Sequence, residues 1–371
     1  MTPMKVVLFC HSLMSDWNHG NAHFLRGITT ELMRRGHEVR VHEPMDGWSR
    51  VNLVADQGRE AIEDVMRAFP ALRSTAYDPL EPDVPALTEG ADLVLVHEWN
   101  APSVVAAVGR HKAAGGYRLL FHDTHHRAVT APREMARFDL RHYDGVLAFG
   151  AVIRDLYLTR GWADRAWTWH EAADVHVFRP LPDVPRRGDL VWVGNWGDGE
   201  RTAELHEFLL GPVQRLGLVA QAYGVRYPQE ARNALAGAGI RYGGWRANHR
   251  VPAAFAAHGV TVHVPRRPYT EKLPGIPTIR PFEALACGIP LVSAPWDDCE
   301  GLFSPGLDHL VAATGREMER RLDDVLHDAV LAQTLRDNGL RTIAARHTCA
   351  HRVDELLDVA GQLGLGQERT A

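Results

Sequence analysis

Two stretches concentrate residues able to do chemistry. In PGIPTIRPFEALACGIPLVSAPWDD, Pro274–Asp298, a Gly/Pro-rich loop runs into a helix start. Pro281 suits the first turn, where a missing N–H costs little, and Gly288 suits the helix end. The free amides of Thr278, Ile279 and Arg280 would then point at an anion, with the Arg280 guanidinium beside them. One turn on, the Glu283 carboxylate can reach a ribose diol. The same residues also fit a tight turn with a solvated Glu and Arg. The second stretch is FHDTHH, Phe121–His126, three histidines and an aspartate crowded together. A metal needs converging ligands, yet on extended chain His122 and Asp123 point to opposite faces, and His125 and His126 likewise diverge. No HxxxH or HExxH spacing is present, so no metal is expected. A functional histidine with an aspartate fixing its tautomer and a histidine-rich loop in a chain with 21 histidines are the readings left.

The elements that must position these residues read as parallel α/β structure. KVVLFC (Lys5–Cys10) is a continuous apolar run suited to a strand buried on both faces. After a glycine-containing loop comes FLRGITTELMRRG (Phe24–Gly36), with Leu25, Ile28, Leu32 and Met33 on one helical face, and then the strand HEVRVHEP. This is the first unit of a doubly wound sheet. ADLVLVHEW, YRLLFHD and YDGVLAFG predict further strands, and 151–160 a helix. The pattern restarts at DLVWVG (Asp189–Gly194), with TAELHEFLLGPVQRL as a helix, VTVHVP and PLVSAP as strands, and a helical tail over about 317–363. Pro180–Arg187 is expected to link the halves. Residues 45–85 look irregular. Ligands of such sheets bind beyond the carboxyl ends of the strands, which is where RLLF delivers FHDTHH.

Composition narrows the function. At 371 residues the chain fits two domains. A net charge of −5 gives no field to gather nucleic acid or anionic membrane. The four cysteines form no CxxC pair and read as thiols of a reducing compartment, and MTPMKVVLFCHSL is too short an apolar run for a secretory signal, so the expected location is cytoplasmic. Lysine occurs only at Lys5, Lys112 and Lys272.

The run Arg280–Gly288, with its R-x-F-E-A-x-A-x-G spacing, resembles the C-terminal donor-site motif of GT-B glycosyltransferases. It is particularly similar to the CgeB-like branch of the retaining, nucleotide-sugar-dependent group. GHEVRVHEP, EAADVHVFRP and VWVGNWGDGERTAEL resemble other segments of that family in the same order. The resemblance implies α/β class and the GT-B fold, two Rossmann-like doubly wound domains facing each other across a cleft. The N-terminal, acceptor-side domain would span 1–180, the donor domain 188–355, and a tail 356–371 would pack back on the first.

By position, the resemblance makes Glu283 the ribose ligand. The family's acid eight residues earlier is here Gly275, leaving sugar recognition to the Gly275–Thr278 backbone or other side chains. Arg280, Lys272, Arg266, Arg267 and Arg201 are candidates to balance the diphosphate without a metal. Tyr223, Arg226 and Trp245 are candidates for the base, Trp245 fitting plain core packing too. Gly20 would bring backbone close to the donor, with His11, Asp16 and His19 on the same rim. His122 would contact the donor sugar and Asp123 fix its tautomer. Retention is implied, the donor phosphate assisting the acceptor hydroxyl; inversion would need a base from Asp16, His19, Asp123 or His125. No cofactor is expected beyond the nucleoside-diphosphate-sugar co-substrate, and the acceptor (glycan, lipid-linked or small molecule) and oligomeric state stay open. A dehydrogenase lacks its GxGxxG after KVVLFC or DLVWVG. A nucleotide-sugar epimerase of the same shape and a non-catalytic sugar-binding protein remain as alternatives.

Overall fold

The computed structural model describes residues 2–366. The chain forms two compact units, one running to Glu171 and resuming at Cys349, the other spanning Ala172–Thr348.

The first unit holds seven strands: β1 Lys5–Phe9, β2 Glu38–Pro44, β3 Thr75–Tyr77, β4 Leu93–His97, β5 Arg118–Asp123, β6 Gly145–Ala148 and β7 Ala166–Thr168. They pair in parallel in the order β3-β2-β1-β4-β5-β6-β7. Val6, Val7 and Leu8 of β1 and Leu93–Val96 of β4 are buried, as central strands covered on both faces require. The first helix is Ala22–Arg34, two residues earlier at each end than the apolar pattern predicts; it buries Phe24, Leu25, Ile28 and Leu32, while Met33 is 36% exposed. Gly36, at φ 86°, turns the chain into β2. Residues 45–85 are ordered where the sequence looks irregular: helices Trp48–Gln57 and Glu60–Ala68 lead into β3.

The second unit holds β8 Gly188–Val193, β9 Ala220–Tyr223, β10 Ile240–Tyr242, β11 His258–His263, β12 Leu291–Ser293 and β13 Leu310–Val311. All are parallel, in the order β10-β9-β8-β11-β12-β13. Both sheets therefore wind outward from a central pair in the dinucleotide-fold order, and reverse direction at β1/β4 and at β8/β11. The helix expected over Thr202–Leu216 is broken into α, π and α turns, the π segment being His206–Leu210. Pro212 explains it, since it cannot donate to the carbonyl of Phe208.

The boundaries move from the expected ones. The second unit begins at Ala172, ahead of the expected Pro180–Arg187 link: Ala173 and Phe178 are buried in its core and Ala173 N–H donates to the His347 carbonyl at 2.9 Å. The return to the first unit falls at Cys349, ahead of the expected 356. Helix Cys349–Gln362 packs there, with Arg35 on Asp354 at 2.5 Å and the Trp169 indole N–H on the Arg352 carbonyl at 2.8 Å. Among the described residues no helix is long and apolar enough to cross a membrane.

Candidate functional site

At the β8/β11 reversal the second unit gathers positive charge. Arg201, in the loop after β8, donates to the carbonyls of Val264 (2.8 Å) and Asn195 and lies 5.0 Å from the Trp192 ring. Burial, then the charges of Arg266 and Arg280, push its pKa down to about 9. It remains protonated at neutral pH, and its Nε is buried without a partner. Arg266 is held by Glu200 at 3.1 Å and Arg267 by Glu204 at 3.1 Å. Lys272 is exposed at the end of helix Arg267–Glu271.

Helix Ile279–Cys287 starts beside these groups in an unusual way. Its N-cap, Thr278, has φ 62° and ψ −178°, a conformation that essentially only glycine adopts freely, and its side chain caps nothing. No side-chain cap competes for the first-turn amides. Glu283 is fully buried, accepts from Asn248 Nδ2 at 3.0 Å and pairs with Arg280. The residue expected on ribose and the one expected on phosphate are thus joined to each other. Below the helix, burial holds His263 down at about 3 and His309 at about 4; His263 Nδ1 is 2.9 Å from Ser293 Oγ.

Gly275 has φ 85°, and a Cβ built there would stand 2.5 Å from Glu300 Oε1. A carboxylate therefore occupies the space a side chain at 275 would need, supplied from 25 residues downstream. Tyr223 lies under Arg246, 5.2 Å from its guanidinium, and Trp245 is half-buried, outside the hydrophobic core. Arg226 is exposed with φ 58°.

In the first unit the loop after β1 is tied down by the buried Glu43, which accepts from Ser12 Oγ (3.0 Å) and the amides of Leu13 (2.7 Å) and Met14 (3.0 Å). Asp16, expected as a possible base, is committed elsewhere: it forms a buried ion pair with Arg26 at 2.9 Å. His19 donates its Nε2 proton to the Ser12 carbonyl at 3.1 Å, and burial holds its pKa well down. Gly20 is exposed, and the left-handed residue of this loop is Asn18, at φ 48°.

FHDTHH separates into different environments. The His122 ring packs 4.8 Å from Trp169, 5.1 Å from His97 and 5.9 Å from Phe24, and its Nε2 is buried without a partner. Burial lowers its pKa to about 3. Asp123 does not orient it. Pointing to the opposite face of β5, its carboxylate accepts from the Tyr157 hydroxyl (2.8 Å) and the His125 amide (3.1 Å), and burial raises it to about 6. Thr124 Oγ1 is 3.0 Å from His97 Nε2 and reaches Glu98, which burial lifts to about 8 and which pairs with Arg127. His125 packs on Trp99 at 5.0 Å and His126 lies 2.8 Å from Thr130 Oγ1. Among the described residues no three His, Cys, Asp or Glu are grouped to hold a metal ion.

The sequence therefore picks out Arg201, Arg266 and Arg280 as a group that the fold brings together, while Lys272 and Arg226 lie exposed. Glu300, Asn248, His97, Glu98 and Trp99 are missed. His97 and Trp99 stand at the end of a strand legible as such, next to β5 in register with His122, so strand adjacency alone could have found them.

Residues 201–358 match a family model described as glycosyl transferase-like. No match was found among curated protein sequences. Sucrose-phosphate synthase of Thermosynechococcus elongatus is 14% identical, with 97% of this chain and 99% of that chain covered and a TM-score of 0.67. HepE of Anabaena, solved with UDP and glucose, is 14% identical over 97% and 100%, with a TM-score of 0.68. An alpha-glucosyltransferase bound to UDP and a 13-mer DNA is 12% identical over 97% and 100%, with a TM-score of 0.67. Two Rossmann-like parallel-sheet domains matching GT-B structures are the fold of this chain, and the glycosyl transferase-like domain agrees with the enzyme class expected from Arg280–Gly288.

Proposed function

We propose that the chain is a retaining GT-B glycosyltransferase of CgeB-like type, moving a sugar from a nucleoside-diphosphate sugar to an acceptor hydroxyl. The observation that carries this is the crowding of Arg201, Arg266 and Arg280 at the β8/β11 reversal, beside an uncapped helix start. Arg266 and Arg280 each hold a carboxylate, Glu200 and Glu283, whereas Arg201 has only carbonyl partners and a buried Nε without one, so a diphosphate placed there meets a charge not yet balanced. As the glycosidic C–O bond breaks, the electron pair stays on the diphosphate oxygen, and charge-assisted donors placed beforehand stabilise it. The arginines supply that charge, so the reading needs no metal.

Glu283, held by Asn248 and Arg280, takes the ribose hydroxyls, and Glu300 replaces the missing acid at Gly275 in binding the transferred sugar. His122 of the first unit is kept as the candidate histidine of this reading, its imidazole neutral because burial lowers its pKa. The buried ion pair of Asp16 with Arg26 removes one of the four bases that inversion would draw on, and retention needs none of them. The leaving phosphate then takes the acceptor proton on the face the new bond forms. The free thiols Cys10, Cys287, Cys299 and Cys349 support a cytoplasmic location.

Thermal-shift measurements against UDP, GDP, ADP, TDP and CDP test the reading. UDP comes first because two of the similar structures hold it. One diphosphate should stabilise the protein by about 2.7 kcal/mol at a hundredfold excess over Kd, and Glu283→Ala should abolish most of the shift. No shift with any of the five would sink the proposal.

A further inference from the structure

Where the chain leaves the second unit, it holds the loop that carries Glu300. Helix Ala329–Arg346 presents Asn338, Thr342 and Arg346 about one turn apart on one face, and each donates to the segment between β12 and β13. Asn338 Nδ2 donates to the Leu307 carbonyl at 3.0 Å, and Thr342 Oγ1 to Asp308 Oδ1 at 3.0 Å. Arg346 donates to the carbonyls of Gly301 at 3.2 Å and Leu302 at 2.5 Å. His347, next in the chain and 3% exposed, adds its Nε2 on the same Leu302 carbonyl at 2.8 Å. A carbonyl only accepts, so Nε2 carries the ring proton. The His347 ring lies 5.3 Å from Phe303 and 5.4 Å from Phe282, the neighbour of Glu283. Its own carbonyl accepts from Ala173 N–H at 2.9 Å, and Thr348 forms a parallel bridge with Ala173. His347 thus ties the points where the chain enters and leaves the second unit to the segments carrying Glu283 and Glu300.

We propose that His347 and Arg346 are positioning residues for the transferred sugar: they fix the turn 298–303 and, through it, the place of Glu300. The inference rests on the glycosyltransferase reading, in which Glu300 takes that sugar, and adds what holds the carboxylate there. Pro295, Asp297, Cys299 and Gly301 are exposed, so this part of the loop has solvent on one side. Ahead of Glu300 the Gly275 amide donates to the Asp297 carbonyl at 2.6 Å. Behind it the Asp298 carboxylate accepts from the amides of Leu302 (2.9 Å) and Phe303 (2.8 Å). Those two bonds shape the turn from within. Leu302 and Phe303 pack in the core, but apolar contact is non-directional, and a ligand group has to be held to within about 0.5 Å. Two charged or polar donors converging on one carbonyl, two residues from Glu300, supply that direction.

A double-mutant cycle on the full chain tests this. The rate read is release of nucleoside diphosphate from whichever of UDP-glucose, UDP-galactose, GDP-mannose and ADP-glucose the wild type turns over, beside the Kd of the matching diphosphate. His347→Ala and Arg346→Ala should each lower kcat about five- to tenfold. His347→Gln should lower it less, because its amide still donates. The diphosphate Kd should stay within about twofold, which is the control for folding. Arg346 is exposed, so Arg346→Ala decides the matter should His347→Ala fail to fold. In a Glu300→Ala background the same substitutions should change kcat by less than about twofold. A merely structural role would lower kcat by the same factor in both backgrounds. That result, full turnover by Arg346→Ala and His347→Gln alike, or full turnover by Glu300→Ala overturns the inference and leaves the arginine site standing. A wild type that binds no nucleoside diphosphate and releases none would instead sink the reading on which the inference rests, and the inference with it.

Discussion

Thr278→Gly separates what the helix start does for function from what it costs the fold. At φ 62° and ψ −178° Thr278 occupies a region where a β-branched residue is strained by about 1–3 kcal/mol. Glycine removes that strain but loses about 0.5–1 kcal/mol through the greater freedom of the unfolded chain. No capping bond is lost, because the threonine side chain makes none. The net expectation is stabilisation by about 1 kcal/mol, a rise in Tm of about 2–4 °C. The same change removes a hydroxyl beside the first-turn amides and frees a backbone held ready for the diphosphate, so UDP affinity should fall about three- to tenfold. Differential scanning fluorimetry and titration calorimetry on one preparation read both numbers. A lower Tm would refute the strain argument; a higher Tm with unchanged UDP affinity would refute the claim that the strain serves the anion site.

Arg201→Met should weaken UDP binding about ten- to hundredfold by calorimetry, the worth of a charge-assisted bond, while uridine binding changes little. Glu300→Ala should reduce turnover of the nucleotide sugar and leave UDP affinity as it was; an equal loss for both would place Glu300 on the nucleotide instead. Acid should destabilise the protein through its buried imidazoles. The folded pKa of His309, about 4, lies below the ~6.5 of the unfolded chain, so the unfolded state binds the extra proton and the stability is lost as pH falls below about 6.5. At pH 5 that loss is about 2 kcal/mol, and urea unfolding of His309→Gln should show a pH 7 to pH 5 drop smaller than wild type by that amount.

Much of the fold was legible because parallel strands covered on both faces must be apolar throughout. KVVLF and LVLVH can be little else, and their order of appearance with intervening helices sets a doubly wound sheet. Residues 45–85 were not legible, because β3 is only three residues long and two of its side chains are exposed. The division at Glu171/Ala172 was not legible, because Ala172 and Ala173 are buried ahead of the proline-rich 180–187 in a stretch with no strand or helix period to announce it. Arg201 and Arg266 were legible from their position after strand ends, and Arg280 from the Arg280–Gly288 run. Asp16 and Asp123 misled: their types fit acid–base work, yet Arg26 and Tyr157, which hold them, lie 10 and 34 residues away. Glu300 was hidden for the same reason, its tie to Gly275 existing only in three dimensions.

The central claim is that the arginine group receives a diphosphate that leaves from a sugar. The most direct measurement is release of nucleoside diphosphate from UDP-glucose and the other common nucleotide sugars without added acceptor, in wild type and in Arg201→Met. The account predicts slow release from one nucleotide sugar by the wild type and at least about tenfold less by the variant. Release from none of them, or equal release by both proteins, would contradict it.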